Sequence, residues 1–230
     1  MMLQTRSERV SRVLHESGAD AWARAATHPM VRGIGDGSLP HPVFRGYFEQ
    51  NVPYLRAYAR AIASIVAKAP DLDAMAVLSR FLRQIVETEI PANLRFLERL
   101  GGDAARVDGV DGADSMLPAT YAYTRHLLAT CALGDCAEGL TAVLPCQWSY
   151  GELARPLTAH PPADPIYADW IGLFGSDEYD GLVEETTALL DRVADVDDAV
   201  QMTALTAIFE RSTRYEVAFW DMAYGEPGRG

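Results

Sequence analysis

Histidine and cysteine, the side chains that most often build metal centres and disulfide frameworks, are scarce in this chain of 230 residues. The three cysteines, Cys131, Cys136 and Cys146, are odd in number and include no C-x-x-C pair. That pattern fits neither a disulfide framework nor a zinc knuckle, so each is a lone thiol. The five histidines form no H-x-x-x-H or E-x-x-H spacing, and none lies beyond His160. The inward-facing carboxylate and E-x-x-H sets of helical di-iron proteins are therefore missing, and no metal is expected. Also absent are G-x-G-x-x-G, a Walker loop and a G-x-S-x-G elbow, the signatures of dinucleotide, nucleotide and hydrolase sites, and no cofactor is expected. Basic residues are outnumbered, 20 against 32 acidic, for a formal charge of -12. This argues against nucleic acid or an anionic membrane as partner, since both need clustered Lys and Arg. No apolar run approaches the roughly 18 to 20 residues that cross a bilayer. The first twenty residues are mixed in charge and lack the apolar core of a secretory signal, so a cytoplasmic location is expected.

What is present is helical periodicity. Apolar residues make up 49% of the chain and recur at spacings of three and four almost throughout, with no convincing alternating run of strand length. The expected fold is all-α, one helical domain from about residue 5 to 225 with a frayed tail. The longest stripe runs from Pro42 to Lys68 through Phe44, Tyr47, Phe48, Asn51, Tyr54, Leu55, Tyr58, Ile62 and Ile65. A second helix is expected from Leu72 to Leu100, kinked at Pro91 and stopped by Gly101-Gly102, followed by a loop to Ser115. Further helices are expected at Pro118 to Ala132, Ala137 to Ala154, Pro165 to Phe174, Ser176 to Val193 and Val196 to Tyr224. An N-terminal pair, Ser7 to Glu16 and Asp20 to Thr27, precedes them all.

Three polar residues interrupt apolar faces. Asn51 has Tyr47 and Phe48 one turn before it and Tyr54 and Leu55 one turn after it. It is either a structural amide bonding a neighbouring helix or a donor and acceptor fork for a polar ring, since a buried amide must find partners. Cys146 follows Pro145, which removes a helical hydrogen bond and frees a carbonyl near residue 141. The thiol is either a small buried hydrophobe or a group re-aimed toward a cavity. Glu216 lies among Tyr215, Phe219 and Trp220. It is either a surface carboxylate flanked by aromatics or a desolvated one whose raised pKa suits proton transfer.

In combination these segments resemble the TenA family, the thiaminase II or aminopyrimidine aminohydrolases of thiamin salvage. The resemblance rests on His28-Pro29 with Val31 to Pro40, Phe44 to Tyr58, Tyr121-Ala122-Tyr123-Thr124, Leu144-Pro145-Cys146-Gln147-Trp148-Ser149-Tyr150, Pro165-Ile166-Tyr167 with Trp170-Ile171-Gly172, and Tyr215-Glu216 with Phe219 to Tyr224. It implies a heme oxygenase-like multi-helix bundle, a homotetramer, and a pyrimidine or related heterocycle as the small-molecule partner. It further implies that Cys146 is the nucleophile and Glu216 the acid and base beside it, with Tyr54, Tyr123 and Tyr150 in the pocket. The chain departs from the pattern at two pocket positions. Asn51 stands where the family usually has aspartate, and Phe174 where a tyrosine is common.

The activity implied is hydrolysis of an aminomethyl-pyrimidine, or of thiamin, to the hydroxymethyl-pyrimidine. Two alternatives share the scaffold: a sister enzyme acting on a different amino-heterocycle, and a non-catalytic pyrimidine-binding regulator.

Overall fold

The computed structural model describes residues 9–107 and 115–225. The expected loop positions 108–114, the tail beyond residue 225 and the first eight residues lie outside that set. Among the described residues every regular element is helical. The chain runs through α1 (Val10–Ser17), α2 (Ala19–Ala26), α3 (Pro29–Asp36), α4 (His41–Val66) and α5 (Leu72–Gln84). A π-helical turn (Ile85–Glu89) then leads into α6 (Ile90–Arg99), and a single short helix α7 (Ala104–Val107) follows. The second half comprises α8 (Pro118–Leu133), α9 (Cys136–Ala154), a 3-10 turn (Arg155–Ala159), α10 (Pro165–Phe174), α11 (Asp177–Val193) and α12 (Ala199–Gly225).

Local sequence explains most of the boundaries. Asp135 and Glu138 form a reciprocal capping box at the start of α9, while Asp71, Asp164 and Ser176 accept from first-turn amides of α5, α10 and α11. Gly101 follows α6 at φ 74, the left-handed geometry that ends a helix and that glycine adopts without strain. Lys68 closes the other end of α8, its Nζ donating to the carbonyls of Cys131, Ala132 and Gly134.

Three elements depart from the sequence expectation, the first being the short α7, which lies in the stretch expected to be a loop. α3 forms in a stretch whose Gly33 and Gly35 disfavour helix. His28 caps it by accepting from the Met30 amide, and Pro29 fits its first position. Gly33 is needed there, because a Cβ would sit 3.0 to 3.1 Å from Leu39 atoms where the chain folds back. The third departure is at Pro91. Its ring cannot pack against the carbonyl four residues earlier and it has no N–H, and the preceding turn is widened to a π-turn that leads into α6. Pro145 is absorbed differently, since α9 runs through it unbroken.

One buried apolar core extends from Val10 to Ala223. Helix α4 lies at its centre, packed against α5, α6, α8, α9 and α12. The hydroxyl of Tyr58 donates to the Val143 carbonyl at 2.7 Å, tying α4 to the middle of α9. Gln50 ties α4 to the start of α8, donating to the Ser115 carbonyl and accepting from the Leu117 amide and the Thr120 hydroxyl. These side-chain bonds fix how the three helices are set around the chemistry.

Candidate functional site

Four helices deliver polar groups into the interior at one level. α9 contributes Cys146, with Ser149 and Tyr150 on the following turn. α12 contributes Glu216, α8 contributes Tyr123 and α4 contributes Tyr54. All are buried, Cys146 at 8% and Glu216 at 4% exposure. The Tyr123 hydroxyl donates to Glu216 Oε1 at 2.5 Å. The Cys146 thiol and the Ser149 hydroxyl flank the same carboxyl and, like Tyr123, favour its charged form. Burial outweighs all three and pushes Glu216 up to about 7. Burial, then the Glu216 charge, pushes the Cys146 thiol well above its usual range. The Tyr54 hydroxyl works in the opposite direction on that thiol, although it is itself buried without a hydrogen bond of ordinary geometry.

The resting site is thus a neutral thiol beside a carboxyl that changes charge near neutral pH. The arrangement is chemically able to turn a thiol into a nucleophile by passing its proton to the carboxylate, and the carboxyl so formed is able to serve as a general acid. Sharing one proton, such a pair would hold a single negative charge in the interior at any time.

Aromatic rings enclose this pair. Tyr54 packs at 5.0 Å on Tyr123 and 5.4 Å on Phe219, and Tyr123 stacks on Tyr215 at 5.3 Å. Tyr150 shares a hydroxyl contact of 2.8 Å with Tyr47, and both rings stack on Trp220. Phe174 packs on Tyr150, Trp170 and Tyr179, so it stands one ring behind the pair and supplies no polar atom. Asn51 is buried on α4. Its Nδ2 donates to Asn93 Oδ1 at 2.8 Å, and Asn93 donates in turn to the Glu89 carbonyl at 2.8 Å. Cys146, Glu216, Tyr123 and Tyr54 therefore meet directly, whereas the bond shown for Asn51 is to Asn93 on a neighbouring helix.

Sequence reasoning missed Glu89, Asn93, Ser149 and Tyr47. Glu89 sits in the π-turn, buried, with Oε1 lacking a partner, and burial pushes it up to about 8. Its charge acts on Cys146, Tyr58 and Tyr179. The signal was available in the stripe Ile85, Glu89, Ala92, Phe96, which places a carboxylate on an apolar face. Ser149 is likewise legible as the residue one turn from Cys146 on the same face. Among the described residues, no three His, Cys, Asp or Glu side chains gather as a metal site. No described helix is long and apolar enough to cross a membrane.

Comparison with known proteins adds an independent line. The TENA/THI-4/PQQC family matches residues 15–226. An aminopyrimidine aminohydrolase of Halalkalibacterium halodurans is 35% identical over 215 residues, covering 93% of this chain and 94% of that protein. Among solved structures, a TenA homologue from P. horikoshii OT3 superposes with a TM-score of 0.84 at 29% identity, covering 96% of this chain and all of that one, 100%. A domain from Shewanella denitrificans with a heme oxygenase-like fold matches at a TM-score of 0.70 and 16% identity, over 93% of this chain and 91% of its own, which is a likeness of fold alone.

Proposed function

Because the chain belongs to the TENA/THI-4/PQQC family, we propose that it is an aminopyrimidine aminohydrolase, replacing the amine on an aminomethyl-pyrimidine by hydroxyl with Cys146 as nucleophile and Glu216 as acid and base. The observation that carries this reading is the buried Cys146–Glu216–Tyr123 cluster, a thiol and a near-neutral carboxyl in one desolvated space. The aminohydrolase relative of 35% identity spans nearly the whole chain, which supports the same chemistry here.

In this reading the sulfur of Cys146 adds to an electron-poor ring carbon while its proton passes to Glu216. Ring electrons then expel the amine from the exocyclic methylene, and Glu216 returns the proton to the departing nitrogen. Water adds to the methylene carbon that remains, Glu216 removes its proton, and expulsion of the thiolate restores the ring. Reprotonation of sulfur by Glu216 closes the cycle, so the net change is amine out and hydroxyl in. The Tyr54 and Tyr123 rings offer stacking faces for the heterocycle, with Tyr150 and Phe174 forming the wall behind. Asn51 meets the ring as a neutral group. That favours, as the second reading, a sister enzyme whose amino-heterocycle differs from the pyrimidine of the relatives.

The test is incubation with 4-amino-5-aminomethyl-2-methylpyrimidine and with thiamin, followed by mass spectrometry of the product. Formation of the hydroxymethyl-pyrimidine is expected, with loss of ammonia from the aminomethyl-pyrimidine and of the thiazole from thiamin. Absence of turnover on both, with turnover on another aminomethyl heterocycle, would move the assignment to the sister enzyme. In keeping with the family, the chain is proposed to act in the cytoplasm as a homotetramer, and light scattering that shows only monomer at micromolar concentration would count against that assembly.

A further inference from the structure

Helix α9 carries polar side chains at a spacing of three, Cys146, Ser149 and Glu152, which sets them in one row winding along its surface. The row leads outward. Cys146 and Ser149 are buried, whereas Glu152 is exposed and its Oε1 meets His15 Nε2 on α1 at 2.9 Å. A narrow cleft between α2 and α9 follows the same row. Trp22, Ala25 and Ala26 line it on α2, and Ser149, Glu152 and Leu153 line it on α9. Ala26 and Glu152 stand at its exposed mouth, and Ala25, Ser149 and Leu153 at its buried end. There the Ser149 hydroxyl donates to the Cys146 carbonyl at 3.3 Å and flanks the Glu216 carboxyl.

The cleft has a volume of about 80 Å³. At about 30 Å³ per molecule such a space takes roughly two or three waters. Pockets for organic ligands begin near roughly 300 Å³, so a pyrimidine does not fit. The reaction consumes water and releases ammonia, and both are small enough for it. A heterocycle lying against Tyr54 and Tyr123 occupies that side of the Cys146–Glu216 pair. A separate way in for water and out for ammonia lets both move while the ring stays bound.

We infer that the cleft between α2 and α9 is a solvent passage, a site for water and for ammonia, and that Ser149 is the relay residue linking it to Glu216. The inference rests on the aminohydrolase reading and goes further in assigning the route of the small reactants. In the hydrolytic step the oxygen of a water held by Ser149 forms its bond to the exocyclic methylene carbon, and the electron pair displaced there returns to the ring. The water gives a proton to the Ser149 hydroxyl as that hydroxyl passes its own to Glu216, so Ser149 ends unchanged.

Two measurements test it on the full chain. In a crystal structure of the ligand-free protein, ordered waters should occupy the cleft, one of them within hydrogen-bond distance of Ser149 Oγ; a dry cleft overturns the inference. In kinetics on 4-amino-5-aminomethyl-2-methylpyrimidine, Ala25→Leu, which fills the buried end, should lower kcat at least about tenfold. Its calorimetric Kd for the hydroxymethyl product should stay unchanged, whereas a purely structural role would weaken binding along with turnover. Ala26→Phe closes the exposed mouth, should act in the same way, and covers the case in which Ala25→Leu does not fold. Ser149→Ala should lower kcat by about a hundredfold, the low end of acid and base contributions, and Ser149→Thr, which keeps the hydroxyl, should recover it. Unchanged kcat in the folded plugged variants or in Ser149→Ala overturns the inference. Waters in the cleft of a wild type that turns over no aminomethyl-pyrimidine would instead overturn the aminohydrolase reading and leave the passage standing.

Discussion

Replacing Tyr123 by phenylalanine removes one hydroxyl and leaves the ring stacked between Tyr54 and Tyr215. The lost group donates to Glu216 Oε1 and stabilises its charged form against the effect of burial, which already holds the carboxyl at about 7. A hydrogen bond to a charged group contributes about 1.5 to 3 kcal/mol. Since 1.36 kcal/mol corresponds to a tenfold change in proton affinity, the acidic limb of the kcat/KM profile should move upward by roughly one to two pH units. With Glu216 half ionised near pH 7 in the wild type, Tyr123→Phe then has about five- to fiftyfold less carboxylate at that pH. The rate should fall by the same factor and recover as the pH is raised past the displaced limb. The assay is a steady-state profile on the aminomethyl-pyrimidine, read as a property of the coupled Cys146–Glu216 pair. A limb that stays in place, or a loss equal at every pH, would refute the reasoning and leave Tyr123 as a ring-binding residue only.

Cys146→Ala should abolish turnover while leaving the melting temperature nearly unchanged, because it trims one small atom; retention of most of the rate would exclude covalent catalysis. Cys131→Ala and Cys136→Ala should stay active. Glu89 is held near 8 by burial, above its ordinary 4.5, so the fold binds its proton more tightly than the unfolded chain. The stability tied to that proton is fully present below about 4.5 and is lost as the pH rises through 8, a change on the order of several kcal/mol. Glu89→Gln, which carries no charge, should therefore gain melting temperature over the wild type at pH 9 and lose most of that gain by pH 5, and a difference independent of pH in calorimetry would contradict the assignment. Asn51→Asp should raise kcat/KM on an aminopyrimidine by about five- to thirtyfold, the equivalent of 1 to 2 kcal/mol for a charge-assisted contact. The ionised carboxylate has no proton for Asn93 Oδ1, so the gain should appear only at pH values where stability falls; a gain without that penalty would show that Asn93 reorients freely.

The fold was legible because it rests on periodicity. The Phe44 to Ile65 stripe appears as α4, and Gly101 ends α6 as its position suggested. Where the reading fell short, tertiary packing overrode local preference. α3 carries two glycines that argue against a helix, yet the close approach of Leu39 requires Gly33. Pro91 was legible as a disturbance but not as a π-turn, since a kink and a widened turn both relieve the same clash. In the candidate site, Cys146 and Glu216 stand out because each interrupts an apolar face, whereas Tyr123 and the proximity of the three followed only from the family resemblance, since they lie on α9, α8 and α12. The Glu89–Asn93–Asn51 chain was hidden because two of its three members draw their meaning from a backbone carbonyl and from a neighbouring helix.

The same burial that gives this site its chemistry sets its stability. A carboxyl near 7 and another near 8 both result from removing charge from water, and among the described residues no cation lowers either again. At Glu216 three donors offset part of that penalty, which leaves the group titrating where a proton shuttle is useful. At Glu89 only burial acts and one oxygen has no partner, so the penalty stands in full. A group retained on those terms in a turn that also orients Asn93 is coupled to the site through its backbone as well as its charge. The two roles separate under Glu89→Gln, which removes the charge and keeps the carbonyl: the stability of the π-turn at high pH should rise while the amide chain to Asn51, anchored on the main chain, stays in place.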